Sequence, residues 1–161
     1  MKAISAFGLL LLWCASTLAG PIDRKTFSFS LPAGWTENTQ DNMYNADSFV
    51  FFEKGETALF NIMVGDKAAG AKGEPMLRSQ EAGWRNRLTD LKFTELHNWS
   101  RYKGTGVEIE GEMQEVVHVR TRIFTFESDK YVCVITESAS VLDWNKLESE
   151  FAQIRKSFRL K

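Results

Sequence analysis

Six charged or titratable side chains in the second half of this 161-residue sequence are spaced as a site would space them. Glu108, Glu110 and Glu112 alternate along the chain, and a few residues later His118, Arg120 and Arg122 alternate too. On a β-strand, residues two apart share a face, so each triplet lays a row of charge along one side of a strand. Acids opposite bases on neighbouring antiparallel strands contribute about 0.2–1 kcal/mol per pair. Pairing Glu112 with Val116 around a three-residue loop sets Glu110 against His118 and Glu108 against Arg120. The other face then carries Val107, Ile109, Val117, Val119 and Ile123, an apolar core face. A two-residue loop would instead set Glu110 against Val119 and bring charge into the core. The chemistry open to such a strip is acid–base work, or binding of a charged ligand, by Glu110, His118 and Arg120. Acid–base catalysis also needs a cleft and displaced pKa values, and neither is visible in the sequence. The expected role of Glu108, Glu110, His118, Arg120 and Arg122 is therefore a salt-bridged binding patch, without a catalytic residue.

The other chemistry-bearing residues are scattered. His97 and His118 do not have metal-ligand spacing. Asp41, Asn42, Asn45 and Asp47 gather hard oxygens in one loop, but their spacing departs from the EF-hand pattern, so a solvated loop is the reading over calcium. The Gly/Ala/Lys segment 65–73 lacks the Gly-Lys-Ser/Thr ending of a phosphate-binding loop. Cys133 lies in Tyr-Val-Cys-Val-Ile, where a thiol serves as a small buried hydrophobe. No cofactor or metal is expected, and the chain reads as no enzyme.

The elements that must position these residues follow from periodicity. Residues 26–31 alternate apolar and polar as a half-buried strand does, and Pro32 and Gly34 stop it. Residues 36–47 are polar and rich in Asn and Asp, which reads as loop. Strands 48–53 and 57–64 flank a short Gly-containing hairpin. They are apolar on both faces, with Phe49 and Phe51 one way and Val50 and Phe52 the other, so the sheet needs cover on two sides. One helix is predicted over 74–91, with Pro75 early and Leu77, Trp84, Leu88 and Leu91 at helical spacing. A second, over 140–157, opens on the capping-box-like pair Ser140 and Asp143 and carries the stripe Val141, Trp144, Leu147, Phe151, Ile154 and Phe158. Strand candidates lie at 93–102, 106–112, 116–126 and 131–136. Together these predict an α+β fold: a three-layer α/β/α sandwich with a central antiparallel sheet, its two helices on opposite faces. Phe49, Phe51, Phe52, Phe60, Ile62, Cys133, Phe151 and Ile154 are expected inside.

The first 19 residues read as an export signal. Lys2 gives the positive start, residues 7–13 form an apolar run too short for the ~20 residues of a membrane span, and Thr17-Leu18-Ala19 offers small residues for cleavage. Trp13 before Cys14 argues against lipid attachment there. The expected mature protein is a single domain, residues 20–161, periplasmic or secreted, with no membrane anchor. It would keep one cysteine, which excludes a disulfide framework. A net charge of −1 argues against a nucleic-acid or membrane-surface binder.

The opening Phe27-x-Phe29-x-Leu31-Pro32-x-Gly34-Trp35 and the closing helix that ends Ile154-x-x-Ser157-Phe158-Arg159 resemble the PsbP-like fold superfamily, in its secreted bacterial branch. That resemblance implies the antiparallel three-layer architecture and a common thread of binding other proteins. The expected function is a non-catalytic periplasmic protein-binding module. The alternatives are a periplasmic immunity protein neutralising a secreted cell-wall-degrading toxin, and an enzyme using the Glu/His/Arg strip.

Overall fold

A computed structural model describes residues 20–161 apart from 57 and 115, and the expected export signal, 1–19, lies outside the described residues. The order of elements is β1 (Gly20–Asp23), β2 (Phe27–Leu31), β3 (Thr36–Glu37), β4 (Phe49–Lys54), β5 (Ala58–Asp66), α1 (Gly73–Arg85), β6 (Leu88–Trp99), β7 (Tyr102–Met113), β8 (Val117–Glu127), β9 (Tyr131–Ser140), α2 (Val141–Ser157) and β10 (Arg159–Leu160). The fold is α+β. Seven strands form one antiparallel sheet in the order β3-β4-β5-β9-β8-β7-β6.

Strand β9 is buried along its whole length and sits at the centre of the sheet, so its side chains sort the core into two clusters. Cys133 and Ile135 pack with Trp144, Leu147, Phe151 and Ile154 of α2 and with Phe124 and Phe126 of β8. Val134, between them, packs with Leu77 and Trp84 of α1 and with Ile109, Val119 and Ile123. Adjacent strand residues point to opposite faces, so the two helices touch opposite faces of β9.

The structure departs from the sequence reading in several places, among them the span 93–102, expected as one strand, which contains the turn between β6 and β7. The strand predicted over 26–31 is not part of the main sheet; as β2 it pairs with β1 and β10 in a separate three-stranded sheet. Its Phe29 then meets Phe52 and Phe60 edge-on, closing over the α2-side core. The first helix ends at Arg85 rather than 91, and Leu88 and Leu91 belong to β6. Both still pack with the cluster of Leu77 and Trp84, which is why the apolar spacing looked unbroken. Strand β9 runs to Ser140, past the expected end at 136. Phe51 is only half-buried, whereas the other seven residues expected inside are buried.

Candidate functional site

The two charged rows do face each other, but the register differs from the expected one. Glu112 lies opposite His118, Glu110 opposite Arg120 and Glu108 opposite Arg122. Strand β7 continues to Met113, which pairs with Val117, and the three-residue loop is 114–116, with Gln114 in the left-handed region at φ 53°. Moving the loop one residue later displaces the register by two, so every side chain keeps its face. This register matches three acid–base pairs where the expected one matched two, and cross-strand charge favours it.

The row is drawn into a network with α2. Arg122 Nε donates to Glu108 Oε2 at 2.6 Å and its Nη1 to Glu148 Oε2 at 3.0 Å. Arg155, from the same face of α2, donates to Glu148 Oε1 and, at 2.6 Å, to Glu137 Oε2. Glu137 is fully buried on β9 and also accepts from the Trp99 indole N–H at 2.9 Å. Both Arg120 and Arg122 lie over the Trp144 ring, at 5.4 and 4.8 Å from its centre. Arg120 Nε donates to Glu110 Oε1 at 2.7 Å, and His118 Nδ1 stands 3.3 Å from Glu112 Oε1. Burial pushes the Glu137 carboxyl above its ordinary pKa, opposed by the Arg155 charge and the Trp99 hydrogen bond. Burial works against the Arg122 charge, but its bond to Glu108 and the charge of Glu148 prevail and raise its pKa.

The predicted patch therefore divides. Glu108 and Arg122 tie the sheet to α2, and most of their hydrogen-bonding capacity is spent inside the molecule. Glu110, Arg120 and His118 lie toward the β7–β8 loop, on the part of the row farther from the Glu148 contact. Val119 pairs with Ser140, so Val116, three residues back, and Leu142, two residues on, leave the sheet at the same end. Both are in water, 85% and 87% exposed. Sequence reasoning missed them: Leu142 was visible as the apolar residue of α2 that falls off the helix stripe.

Three of the four loop side chains weighed for calcium are engaged with the backbone. Asp41 Oδ1, Asn45 Oδ1 and Asp47 Oδ1 accept from the backbone N–H groups of Met43, Asp47 and Lys25. Among the described residues no three His, Cys, Asp or Glu side chains are grouped to hold a metal ion. Cys133 is a free, buried thiol whose pKa burial raises well above the ordinary value. His97 is exposed on β6 and lies away from the His118 pair.

Among solved structures, the solution structure of cyanobacterial PsbP (CyanoP) from Synechocystis sp. PCC 6803 matches with a TM-score of 0.54 at 11% identity, covering 98% of this chain and 99% of that one. A crystal structure from Bacteroides thetaiotaomicron VPI-5482 matches with a TM-score of 0.56 at 12% identity, over 89% of this chain; the chain spans 49% of that protein. LpqN, involved in cell envelope biogenesis of Mycobacterium tuberculosis, matches with a TM-score of 0.51 at 9% identity, over 84% of this chain and 83% of its own. The fold is thus PsbP-like, as the opening and closing motifs implied, and at these identities the likeness is one of fold alone. No protein-family model matches the sequence. No curated protein matches it either.

Proposed function

We propose that the chain is a non-catalytic protein-binding module, a three-layer α/β/α sandwich working outside the cytoplasm, that engages its partner with the sheet end around the β7–β8 loop. The observation that carries this reading is that Val116 and Leu142, both in water, leave the sheet at the same end, next to the ladder Glu110–Arg120 and Glu112–His118. Single exposed aliphatic residues are ordinary on protein surfaces. Two that leave the sheet at one end, beside half-exposed charges of both signs, form the apolar centre and polar rim that protein interfaces use. The internal pairing of those charges favours a partner that covers them over a substrate that would need them free.

An extracytoplasmic setting is supported by the export-like residues 1–19 and by the envelope role of LpqN, a neighbour in fold. No described helix is long and apolar enough to cross a membrane.

Photo-crosslinking in the producing cell tests the surface. A crosslinker at position 142 or 116 is expected to give one adduct of defined mass, and the same group at Lys156, exposed near the far end of α2, none. Arg120→Gln, which removes the charge without setting a third carboxylate beside Glu108 and Glu110, should weaken the adduct, and a thermal melt of the variant checks that the fold is kept. Equal yields at all three positions, or none at any, would remove the proposed surface.

A further inference from the structure

The α1 face of the sheet holds a cavity that the reading above does not use. It lies between the flank of α1 and strands β4, β5 and β9, with a volume of about 230 Å³, and its walls include Phe49, Phe51, Leu59 and Trp84. A space of this size, open to solvent on one side, holds several waters that an organic ring would displace. The two phenylalanine rings meet edge to face with centres 4.7 Å apart. Rings prefer offset or edge-on contacts with further rings, so these walls favour a flat aromatic occupant.

Two buried oxygens in this cavity's lining lack partners. Asn61 and Thr136, cross-strand neighbours on β5 and β9, are each only 1% exposed. The Asn61 amide is fixed by its Nδ2, which donates to Val50 O at 2.9 Å, so Oδ1 is left as the acceptor. Neither Asn61 Oδ1 nor Thr136 Oγ1 has a hydrogen-bond partner among the described residues. Buried polar atoms in native proteins are nearly always paired, and an unpaired acceptor is a standing cost that a donor would relieve.

A third, independent sign is Gly83, inside α1 on the cavity's lining. Glycine weakens a helix interior relative to alanine. Gly83 does not have a positive φ, and a Cβ built there would meet nothing within 4 Å. Neither backbone conformation nor packing within the described residues calls for glycine here. Close approach of another molecule to the helix backbone would.

We infer that this cavity is a binding site for an aromatic ring carrying one hydrogen-bond donor, a phenol or an indole. The ring lies among Phe49, Phe51 and Trp84 with its edge past Gly83, and its O–H or N–H is given to Asn61 Oδ1, which is closed to water in the free protein and which the ligand uncovers on binding. Thr136 Oγ1 completes the polar floor, accepting from or donating to the same group. Met43 and Arg87 stand at the mouth; Met43 is largely exposed, and the Arg87 guanidinium lies 5.9 Å from the centre of the Trp84 ring. The ring comes either from a free small molecule or from a tyrosine or tryptophan side chain of a polypeptide.

Titration of the isotope-labelled protein with phenol, indole and toluene, followed by amide NMR, tests this. Phenol and indole are expected to move the Asn61 side-chain amide and the Gly83 backbone amide. Toluene, which has the ring without the donor, should bind about tenfold more weakly, the equivalent of one lost hydrogen bond. Gly83→Leu should abolish binding while leaving the melting temperature unchanged or higher, because leucine favours the helix and fills the mouth. Thr136→Val should weaken phenol about threefold or more and leave toluene unaffected, with the fold retained because no hydrogen bond to Thr136 Oγ1 is lost. N-acetyltyrosinamide and the tripeptide Gly-Tyr-Gly separate the two sources: tighter binding than phenol assigns the ring to a polypeptide, and exclusion assigns it to a free small molecule. Unmoved Asn61 and Gly83 resonances up to the solubility of the probes, toluene equal to phenol, or undiminished binding in Gly83→Leu would each overturn the proposal.

Discussion

The two sides of the central sheet are finished to different standards. On the α2 side, the core is dominated by aromatic rings, and a fully buried carboxylate, Glu137, has Arg155 and Trp99 as partners. On the α1 side the core is a smaller cluster of mostly aliphatic residues, Asn61 and Thr136 carry unpartnered oxygens, and a cavity remains. Its own buried carboxylate, Glu81, is held by Arg78 at 2.7 Å and Arg85 at 2.6 Å, both on the same helix and both half in water. The α2 side therefore behaves as the structural keel, and the α1 side retains the slack that binding requires.

Four substitutions can break or sharpen that contrast. Phe151→Ala, at the centre of the α2 side, should cost about 3–5 kcal/mol, and Leu77→Ala on the α1 side about 2–3 kcal/mol, because two open clefts that border Leu77 let the site relax. Equal losses in denaturant melts would mean the two cores are equally tight.

Arg155→Met, which leaves Glu137 charged and held by Trp99 alone among its direct partners, should cost about 3–5 kcal/mol at neutral pH. The Glu137 pKa is already raised in the fold. A raised carboxyl favours the folded state below its unfolded value and disfavours it as pH rises through the folded value. The deficit of Arg155→Met should therefore shrink as pH falls toward about 4–5, the ordinary carboxyl range. A deficit independent of pH would show that lost packing, and not the bare charge, is the cause.

Glu81→Gln should show the opposite sign and a smaller size. Burial opposes the Glu81 charge, but hydrogen bonds from Arg85 and Arg78 outweigh it and hold its pKa below the usual value. Its contribution is present above the unfolded pKa and fades as pH falls through the folded one. The variant should lose about 1 kcal/mol at pH 7, because both arginines are solvated, and the loss should vanish in acid. Thermal melts of both carboxylate networks across pH 3–7 would display the two signs side by side.

How far the sequence disclosed this arrangement depends on where the partners lie. The capping pair Ser140 and Asp143 was legible because it is local: the Asp143 N–H donates to Ser140 Oγ at 3.1 Å. The alternation of Glu108, Glu110 and Glu112 with His118, Arg120 and Arg122 gave the shared face, because one loop joins the two strands. It missed the register by two, since both loop positions satisfy the same periodicity. Leu88 and Leu91 were assigned to the helix because they keep its spacing; long-range pairing with β7 made them strand. Glu137 was invisible, because a carboxylate normally ends a buried strand, and the residues that license it are 18 and 38 positions away. Asn61, Thr136 and Gly83 carried no signal at all until the fold assembled them around one cavity.

The small sheet has a temporal meaning. Strand β2 takes β10 as its partner, Ser30 N–H donates to a Ser157 hydroxyl 127 positions away, and Phe27 and Phe29 stack on Phe158. A chain made from its N-terminus presents β2 early and must hold one of its edges open, with two phenylalanines uncovered, until residues 157–160 arrive. Such distant closures form slowly, and an open apolar edge is the kind of surface that chaperones cover. The molecule thus carries a built-in delay: its first long strand is sealed only after nearly everything between has been laid down.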